Sequence, residues 1–418
     1  MPLPATSRDG AAVEVDQLGH RHRPAGVSGK VPTRRLRVAL DLTPLLGRPT
    51  GVGVFTRALA AELAVRPDLD PVGFAITWRG RGELARIAPA GFRIVSRPMP
   101  ARPLRAMWSR AEWPPLEWFS GPVDLVHGTN FVVPPTRRAA RLITVHDLTP
   151  VRFPQLCTPD TLAYPHLIQR AWRRGAWIHT DSSFVADEVR DWLQVSDADA
   201  GRVVPIHLGV TPSAAGDPAA GQTLARARRY VLALGTVEPR KGLVDLVNAF
   251  DALARGDDPG RPPADQIALV IAGPDGWGID AFEAALTRCR GRDRVIRLGW
   301  VEDQQRADLL AGAQVLAYPS VYEGFGLPPL EAMAMGVPVV CSDAGSLPEV
   351  TGDGAVRVPI GDVEALAAAL TEAVSDTPAA KARRTQQIAA GRHQAARFDW
   401  SSCAQKLVDL YSQMLTIG

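Results

Sequence analysis

Cysteine is scarce: four residues in 418, Cys157, Cys289, Cys341 and Cys403, all far apart. None forms a Cys-x-x-Cys pair, which excludes a zinc ribbon and a dithiol redox motif. The expected state is reduced thiols in a cytoplasmic protein. No apolar run approaches the roughly 20 residues needed to span a bilayer. The N-terminus lacks the basic-then-apolar pattern of a secretory signal. Charge of one sign is also lacking. The formal net charge is +3, which argues against a dedicated nucleic-acid binder but leaves anionic ligands open. Residues 1–34 are polar and carry Gly, Pro and Arg without periodicity. They read as a disordered tail, with His20 and His22 as solvated tail residues and not metal ligands.

What is present is the composition of a soluble globular protein, 46% hydrophobic and 22% charged, long enough for two domains. Short apolar runs alternate with helical patterns. The predicted strands of the first half are Leu36–Asp41, Val72–Trp78, Phe92–Pro98, Asp124–His127, Leu142–His146, Trp177–Thr180 and Val203–Leu208. Helical periodicity lies between them, for example over Thr56–Leu63 and Ser183–Leu193. This alternation predicts a parallel sheet covered on both faces. Thr211–Gln222, small, polar and Pro/Gly-bearing, reads as a linker. The alternation then restarts with Tyr230–Leu234, Ile267–Ala272, Val295–Leu298, Val315–Tyr318, Pro338–Cys341 and Ala355–Val358. A last helical pattern covers Trp400–Leu415. The expected domains are 35–212 and 226–395, followed by a terminal helical segment, 396–418. Two open parallel sheets bind ligands outside the carboxyl ends of their strands, so the site is expected in a cleft between domains.

The richest stretch is Tyr322-Glu323-Gly324-Phe325-Gly326-Leu327-Pro328-Pro329-Leu330-Glu331, between two predicted strands. Two glutamates with seven residues between them bracket a glycine turn and a helix start. Pro328 and Pro329 suit a first helical turn, Glu331 is expected in that turn, and Gly336 ends the helix. The N–H groups of such a helix start favour an anion. Further upstream, Gly235-Thr236-Val237-Glu238-Pro239-Arg240-Lys241-Gly242 places two cations at the start of a predicted helix. A basic pair there opposes the helix dipole, so a bound anion is expected to offset it. In the first half, Gly47 to Val54 forms a predicted glycine loop after a strand. Thr56 replaces the third glycine of G-x-G-x-x-G, and no Gly-Lys-[Ser/Thr] follows, so no nucleotide motif is matched. His146 and Asp147 close a predicted strand on the cleft side. Asp68-Leu69-Asp70 and Asp197-Ala198-Asp199 read as surface turns before strands, so no metal is inferred.

Together these residues resemble glycosyltransferase family 4, the retaining transferases of GT-B fold. The likeness is strongest from Tyr230 to Glu349. It includes Gly273-Pro274-Asp275, Leu298-Gly299-Trp300-Val301 and Asp303. Thr50-Gly51-Val52-Gly53 and Thr144-Val145-His146-Asp147-Leu148 are similar to bacterial polysaccharide and mannosyl transferases. The resemblance implies an α/β, GT-B fold of two Rossmann-like domains, with the last helix crossing back onto the first. It implies that Glu323 binds donor-sugar hydroxyls and that Gly324, Phe325, Gly326 and Leu327 meet the sugar or diphosphate. Glu331 would hold the ribose. Arg240 and Lys241, with Gly235 beside them, would neutralise the diphosphate leaving group. Gly51 and Gly53 would lie by the phosphates, and His146 would contact the donor sugar. Asp303 and the Val301 backbone would read the base.

The implied reaction is retaining transfer of a hexose from a nucleotide diphosphate sugar to a glycan or lipid-linked glycan. It needs no metal or other cofactor and no protein general base. GDP-mannose is the expected donor and a UDP-sugar the alternative. A GT-B epimerase or phosphorylase and a non-catalytic nucleotide-sugar-binding protein also remain open. On the acceptor side the candidates are Asp147, Arg105 and Trp108. The Arg/Trp stretch from Arg102 to Arg110, with Trp113 and Trp118, suits a peripheral contact with an anionic membrane or a lipid-phosphate acceptor. It equally suits a helix packed on the first domain with solvated arginines.

Overall fold

In the computed structural model, residues 34–47, 50–78, 80–211, 215–255 and 267–417 are described. The expectation of a disordered tail, with His20 and His22, lies outside them. Among the described residues the apolar runs form thirteen strands in two sheets, parallel throughout. The first sheet contains β1 (Leu36–Asp41), β2 (Leu69–Phe74), β3 (Arg93–Ile94), β4 (Leu125–Gly128), β5 (Ala140–Val145), β6 (Trp177–Thr180) and β7 (Val203–Pro205). Its order is β3-β2-β1-β4-β5-β6-β7. The second contains β8 (Arg229–Leu234), β9 (Ile267–Ala272), β10 (Val295–Gly299), β11 (Val315–Tyr318), β12 (Val339–Ser342) and β13 (Ala355–Val358), ordered β10-β9-β8-β11-β12-β13. This is the two-domain GT-B architecture.

Burial on both faces explains the sequence pattern. All six residues of β9 are buried, as are Val38 to Asp41 of β1, so the strands read as continuous apolar runs. In each sheet the strand order reverses beside the first strand, between β1 and β4 and between β8 and β11. Such switch points open a crevice at the carboxyl ends.

Three local expectations are corrected. β2 begins at Leu69, three residues before the predicted start. Leu69 pairs with Leu36 in register and is buried, and Asp70 accepts from Arg37 Nε at 2.6 Å. Asp68-Leu69-Asp70 is therefore not a turn before the strand, and Trp78 lies exposed beyond it. The predicted linker is in part a helix, Pro218–Leu224, N-capped by Asp217. Its small residues permit close packing on the helix Asp303–Gly312: a Cβ on Gly221 would lie 2.0 Å from the Asp308 carbonyl oxygen. Smallness here serves contact, not flexibility. Finally, Thr50-Gly51-Val52-Gly53 is the start of a helix and not a loop. The helix Gly51–Ala64 is capped by Thr50 Oγ1, which accepts from the Gly53 N–H at 3.2 Å.

The terminal helix Trp400–Ile417 packs against the helix Gly51–Ala64 of the first domain. Tyr411 reaches under the first sheet to His127 Nδ1 at 2.8 Å, and His127 Nε2 meets Thr144 Oγ1 at 2.8 Å. Gly209 lets this helix begin against the chain, since a Cβ there would meet the Trp400 nitrogen at 2.4 Å. Among the described residues no helix is long and apolar enough to cross a membrane.

Candidate active site

A cleft of about 540 Å³ lies where the carboxyl ends of the two sheets face each other. This is the size range of small-ligand sites. The domain-two wall is built from segments that follow β8, β9, β10 and β11. The domain-one wall comes from the Gly51 helix start and from the ends of β5 and β6.

Glu323 is the centre of the domain-two wall. It sits in the turn after β11, buried, and both carboxylate oxygens meet cations that follow β8. Lys241 Nζ is 2.7 Å from Oε1 and Arg240 Nη1 is 3.0 Å from Oε2. Burial alone would raise the Glu323 pKa, but Arg240 and Lys241 outweigh it and hold the carboxyl at about 2. Glu323 is thus an obligate acceptor at neutral pH. Lys241 also donates to the Tyr318 hydroxyl at 2.9 Å. Arg240 Nη2 pairs with Glu238 at 2.8 Å. The cations sit on a 3₁₀ turn, Pro239–Lys241, before the helix Leu243–Arg255, and not in its first turn. The anion expected to offset them is supplied by Glu323 and Glu238 from within the protein.

The glycine turn leads into the helix Leu327–Met335, with Gly326 as its N-cap at φ +106° and Gly336 as its C-cap. Pro328 and Pro329 occupy the second and third positions, so of the first three residues only Leu327 has an N–H. Glu331 is the fifth residue, in the second turn and not the first. Its carboxylate faces Arg306 of the helix Asp303–Gly312. Asp303 opens that helix at the mouth of the cleft, with its side chain 85% exposed and 3.9 Å from Arg57 of domain one. Val301 lines the cleft just before it.

On the domain-one wall, His146 is buried with both ring nitrogens engaged. Nδ1 is 2.6 Å from Asp181 Oδ2 and Nε2 is 2.8 Å from the Thr129 carbonyl oxygen. A carbonyl only accepts, so Nε2 donates to Thr129 and Nδ1 is taken up by Asp181. Burial works against a charged ring, but Asp181 and the Thr129 bond prevail, and the pKa is raised. His146 therefore offers the cleft no free ring nitrogen. Asp147 lines the cleft as well and accepts from the Thr149 N–H at 2.8 Å.

Direct bonds join the two walls. Ser182 Oγ donates to the Gly324 carbonyl at 2.7 Å, and the Leu148 N–H donates to the Tyr322 hydroxyl at 2.9 Å. Glu349, from domain two, accepts from the N–H groups of Ser183 and Phe184 at 2.9 and 3.1 Å and meets His207 Nε2 at 2.5 Å. Gly324 rests on His146: a Cβ there would lie 1.8 Å from its carbonyl oxygen. Only glycine permits this approach.

Residues 220–394 match the family model for glycosyl transferases group 1. The chain is 31% identical over 295 residues to O-antigen chain mannosyltransferase B of Escherichia coli, covering 69% of this chain and 74% of that one. The chain belongs to this family. The glycosyltransferase is also 32% identical over 243 residues to the MMP alpha-(1->4)-mannosyltransferase of Mycolicibacterium hassiacum, which covers 55% of this chain and 56% of that protein. Sucrose-phosphate synthase from Thermosynechococcus elongatus shares the fold, with a TM-score of 0.70 at 20% identity over 92% of this chain and all of that one.

Most residues singled out in the sequence of this group 1 glycosyltransferase meet in the one cleft, among them Gly51, Gly235, Phe325 and Leu327. Three do not. Gly53 is buried on the far side of its helix turn, where a Cβ would lie 3.0 Å from the Pro44 carbonyl oxygen. Trp108 is a core residue of domain one, its indole donating to the Pro114 carbonyl at 3.0 Å. Arg105 lies on the same helix, Ala101–Trp108, half-buried, with its guanidinium 5.8 Å from the Tyr164 ring centre. Among the cleft residues without an assigned role are Asp181, Tyr318, Glu238 and Arg306. Asp181 and Tyr318 stand at strand ends, the same signal that marked His146. Arg306, in mid-helix, had no local signal. Among the described residues no cluster of His, Cys, Asp and Glu is arranged to hold a metal ion.

Proposed function

We propose that this glycosyltransferase moves a hexose with retention from a nucleotide diphosphate sugar to a glycan or lipid-linked glycan, without a metal, and that the donor is GDP-mannose. The convergence of Arg240 and Lys241 on Glu323 inside the cleft carries this reading. Departure of a nucleoside diphosphate develops negative charge, and two preorganised, partly buried cations in the cleft wall are suited to stabilise it. Both are already paired with carboxylates, so further positive potential would come from the Gly51 helix start and from the Gly326–Leu327 backbone. Glu323, ionised and acceptor-only, suits sugar hydroxyls, and Glu331 suits the ribose diol. His146 has no free nitrogen to take a proton. The acceptor's proton would instead pass to a leaving phosphate oxygen, as a same-face displacement requires.

The mannose assignment is supported by the mannosyltransferases among the relatives. Guanine is supported by the Asp303 carboxylate at the cleft mouth, which can accept from two adjacent guanine donors. Uracil offers one donor between two carbonyls, so it would gain less there. Thermal-shift screening with GDP, UDP, ADP and dTDP, followed by release of the matching diphosphate from its donor sugar, tests both points. A larger shift with UDP would move the donor to a UDP-sugar.

A peripheral contact with an anionic membrane is part of the proposal, centred on Trp113 and Trp118 and not on Trp108. Trp113 and Trp118 are each 48% exposed and lie edge to face at 5.4 Å. Arg102 and Arg110, earlier in the same stretch of chain, are exposed, and Arg97 is held on the Trp118 carbonyl. Residues 35–211 hold 22 Arg and no Lys against 16 Asp and Glu, so the local charge favours an anionic surface.

A further inference from the structure

Asp181 is the one domain-one carboxylate in the cleft wall, among the described residues, with a buried oxygen that lacks a partner. It stands immediately after β6, between a bond within domain one and a bond that joins the domains beside Glu323. On one side His146 takes Oδ2 at 2.6 Å, and on the other Ser182 holds the Gly324 carbonyl at 2.7 Å. Oδ1 is buried and has no hydrogen-bond partner, although the side chain belongs to the cleft lining. Such a group is costly and calls for an explanation. A structural role through His146 accounts for Oδ2 alone. The missing partner must be a donor, and an anionic oxygen excludes phosphate. The position adjoins the Glu323 turn and not the Asp303 mouth, so the missing donor belongs at the sugar end of the cleft.

We infer that Asp181 Oδ1 accepts a hydrogen bond from a hydroxyl of the hexose being transferred, making Asp181 a specificity-determining residue of the donor site. This rests on the glycosyl-transfer reading above. Its neighbours fix its orientation: Phe55 and Phe131 stand edge-on to His146 at 5.5 and 5.6 Å, and His146 Nδ1 holds Oδ2. The hexose thus meets a fixed carboxylate on each wall, Glu323 from domain two and Asp181 from domain one. The sugar-bearing nucleotide makes a contact with Asp181 that a bare nucleoside diphosphate does not.

Calorimetry on the full chain tests this with GDP and GDP-mannose, or with UDP and UDP-glucose if the wild type prefers that pair. Asp181→Asn keeps the shape and an oxygen for His146. It is expected to weaken the sugar-bearing nucleotide by about 10- to 100-fold, the worth of a hydrogen bond to a charged group. The bare diphosphate should stay within about twofold. Equal loss for both ligands would indicate a merely structural role and overturn the inference, and so would unchanged affinity for the nucleotide sugar. If Asp181→Asn does not fold, the His146 Nδ1 proton resonance of the wild type serves instead. GDP-mannose should shift it and GDP should not; equal shifts overturn the inference. A wild-type chain that binds no nucleotide sugar overturns the glycosyl-transfer reading itself, and the inference with it.

Discussion

Glu323→Ala is the most informative single change. The wild-type carboxyl is held at about 2 against an ordinary value of 4.5, a difference worth on the order of 3 kcal/mol. Removing one member of a buried ion pair costs about 3–5 kcal/mol in other proteins, so the variant should lose roughly 3 kcal/mol of stability. The sign follows from the lowered pKa. This stabilisation is fully present above about pH 4.5 and is lost as pH falls toward about 2. The variant should therefore show a flatter acid limb than the wild type in denaturation curves. Turnover should fall by at least about 100-fold, from lost charge-assisted bonds to the sugar. Because Lys241 and Arg240 lose a partner anion, GDP should raise the melting temperature of the variant more than that of the wild type. Near-normal turnover would refute the role of Glu323. A smaller GDP shift in the variant would refute the sharing of cations between Glu323 and the diphosphate.

Lys241→Ala should weaken GDP binding and slow diphosphate release, with Glu323 keeping Arg240; an unchanged rate in a folded variant would remove Lys241 from the leaving-group site. Gly324→Ala places a methyl into the His146 carbonyl oxygen. It should part the walls, at a cost of about 1–3 kcal/mol, abolish transfer and enlarge the radius of gyration in small-angle scattering. Tyr411→Phe strands His127 Nδ1 beneath the first sheet and should cost about 1–3 kcal/mol in urea unfolding without changing GDP affinity. Trp113→Ser with Trp118→Ser should weaken flotation with anionic vesicles by about tenfold, whereas Trp108→Ser should destabilise the fold instead.

The fold was legible because each strand is a continuous apolar run, as in Ile267–Ala272, and the turns between runs carry Gly or Pro. The runs failed where a polar residue belongs to a strand: Asp70 is compensated by Arg37, a partner 33 positions away that no local pattern reveals. Pro218–Leu224 was unreadable for another reason, since its Ala and Gly residues look alike in a linker and in a close helix contact. In the cleft, the residues on the two-glutamate block and the Arg240-Lys241 pair could be read because their spacing is local. Their partnership could not, because Lys241 and Glu323 are 82 positions apart. The Arg306–Glu331 pairing and the engagement of both His146 nitrogens likewise arise only when the chain folds. Trp108 shows the opposite limit: a tryptophan among arginines suits a membrane face and a core equally, and tertiary packing put it in the core.

The central claim is that the cleft binds a nucleotide diphosphate sugar and uses Arg240 and Lys241, in place of a metal, to release the diphosphate. It is tested most directly by the nucleoside diphosphate freed from GDP-mannose and from UDP-glucose by the full chain in excess chelator. Release should persist from one of the two donors and fall at least about 100-fold in Lys241→Ala. No release from either donor, release only when a divalent cation is restored, or equal release by the variant would contradict the account.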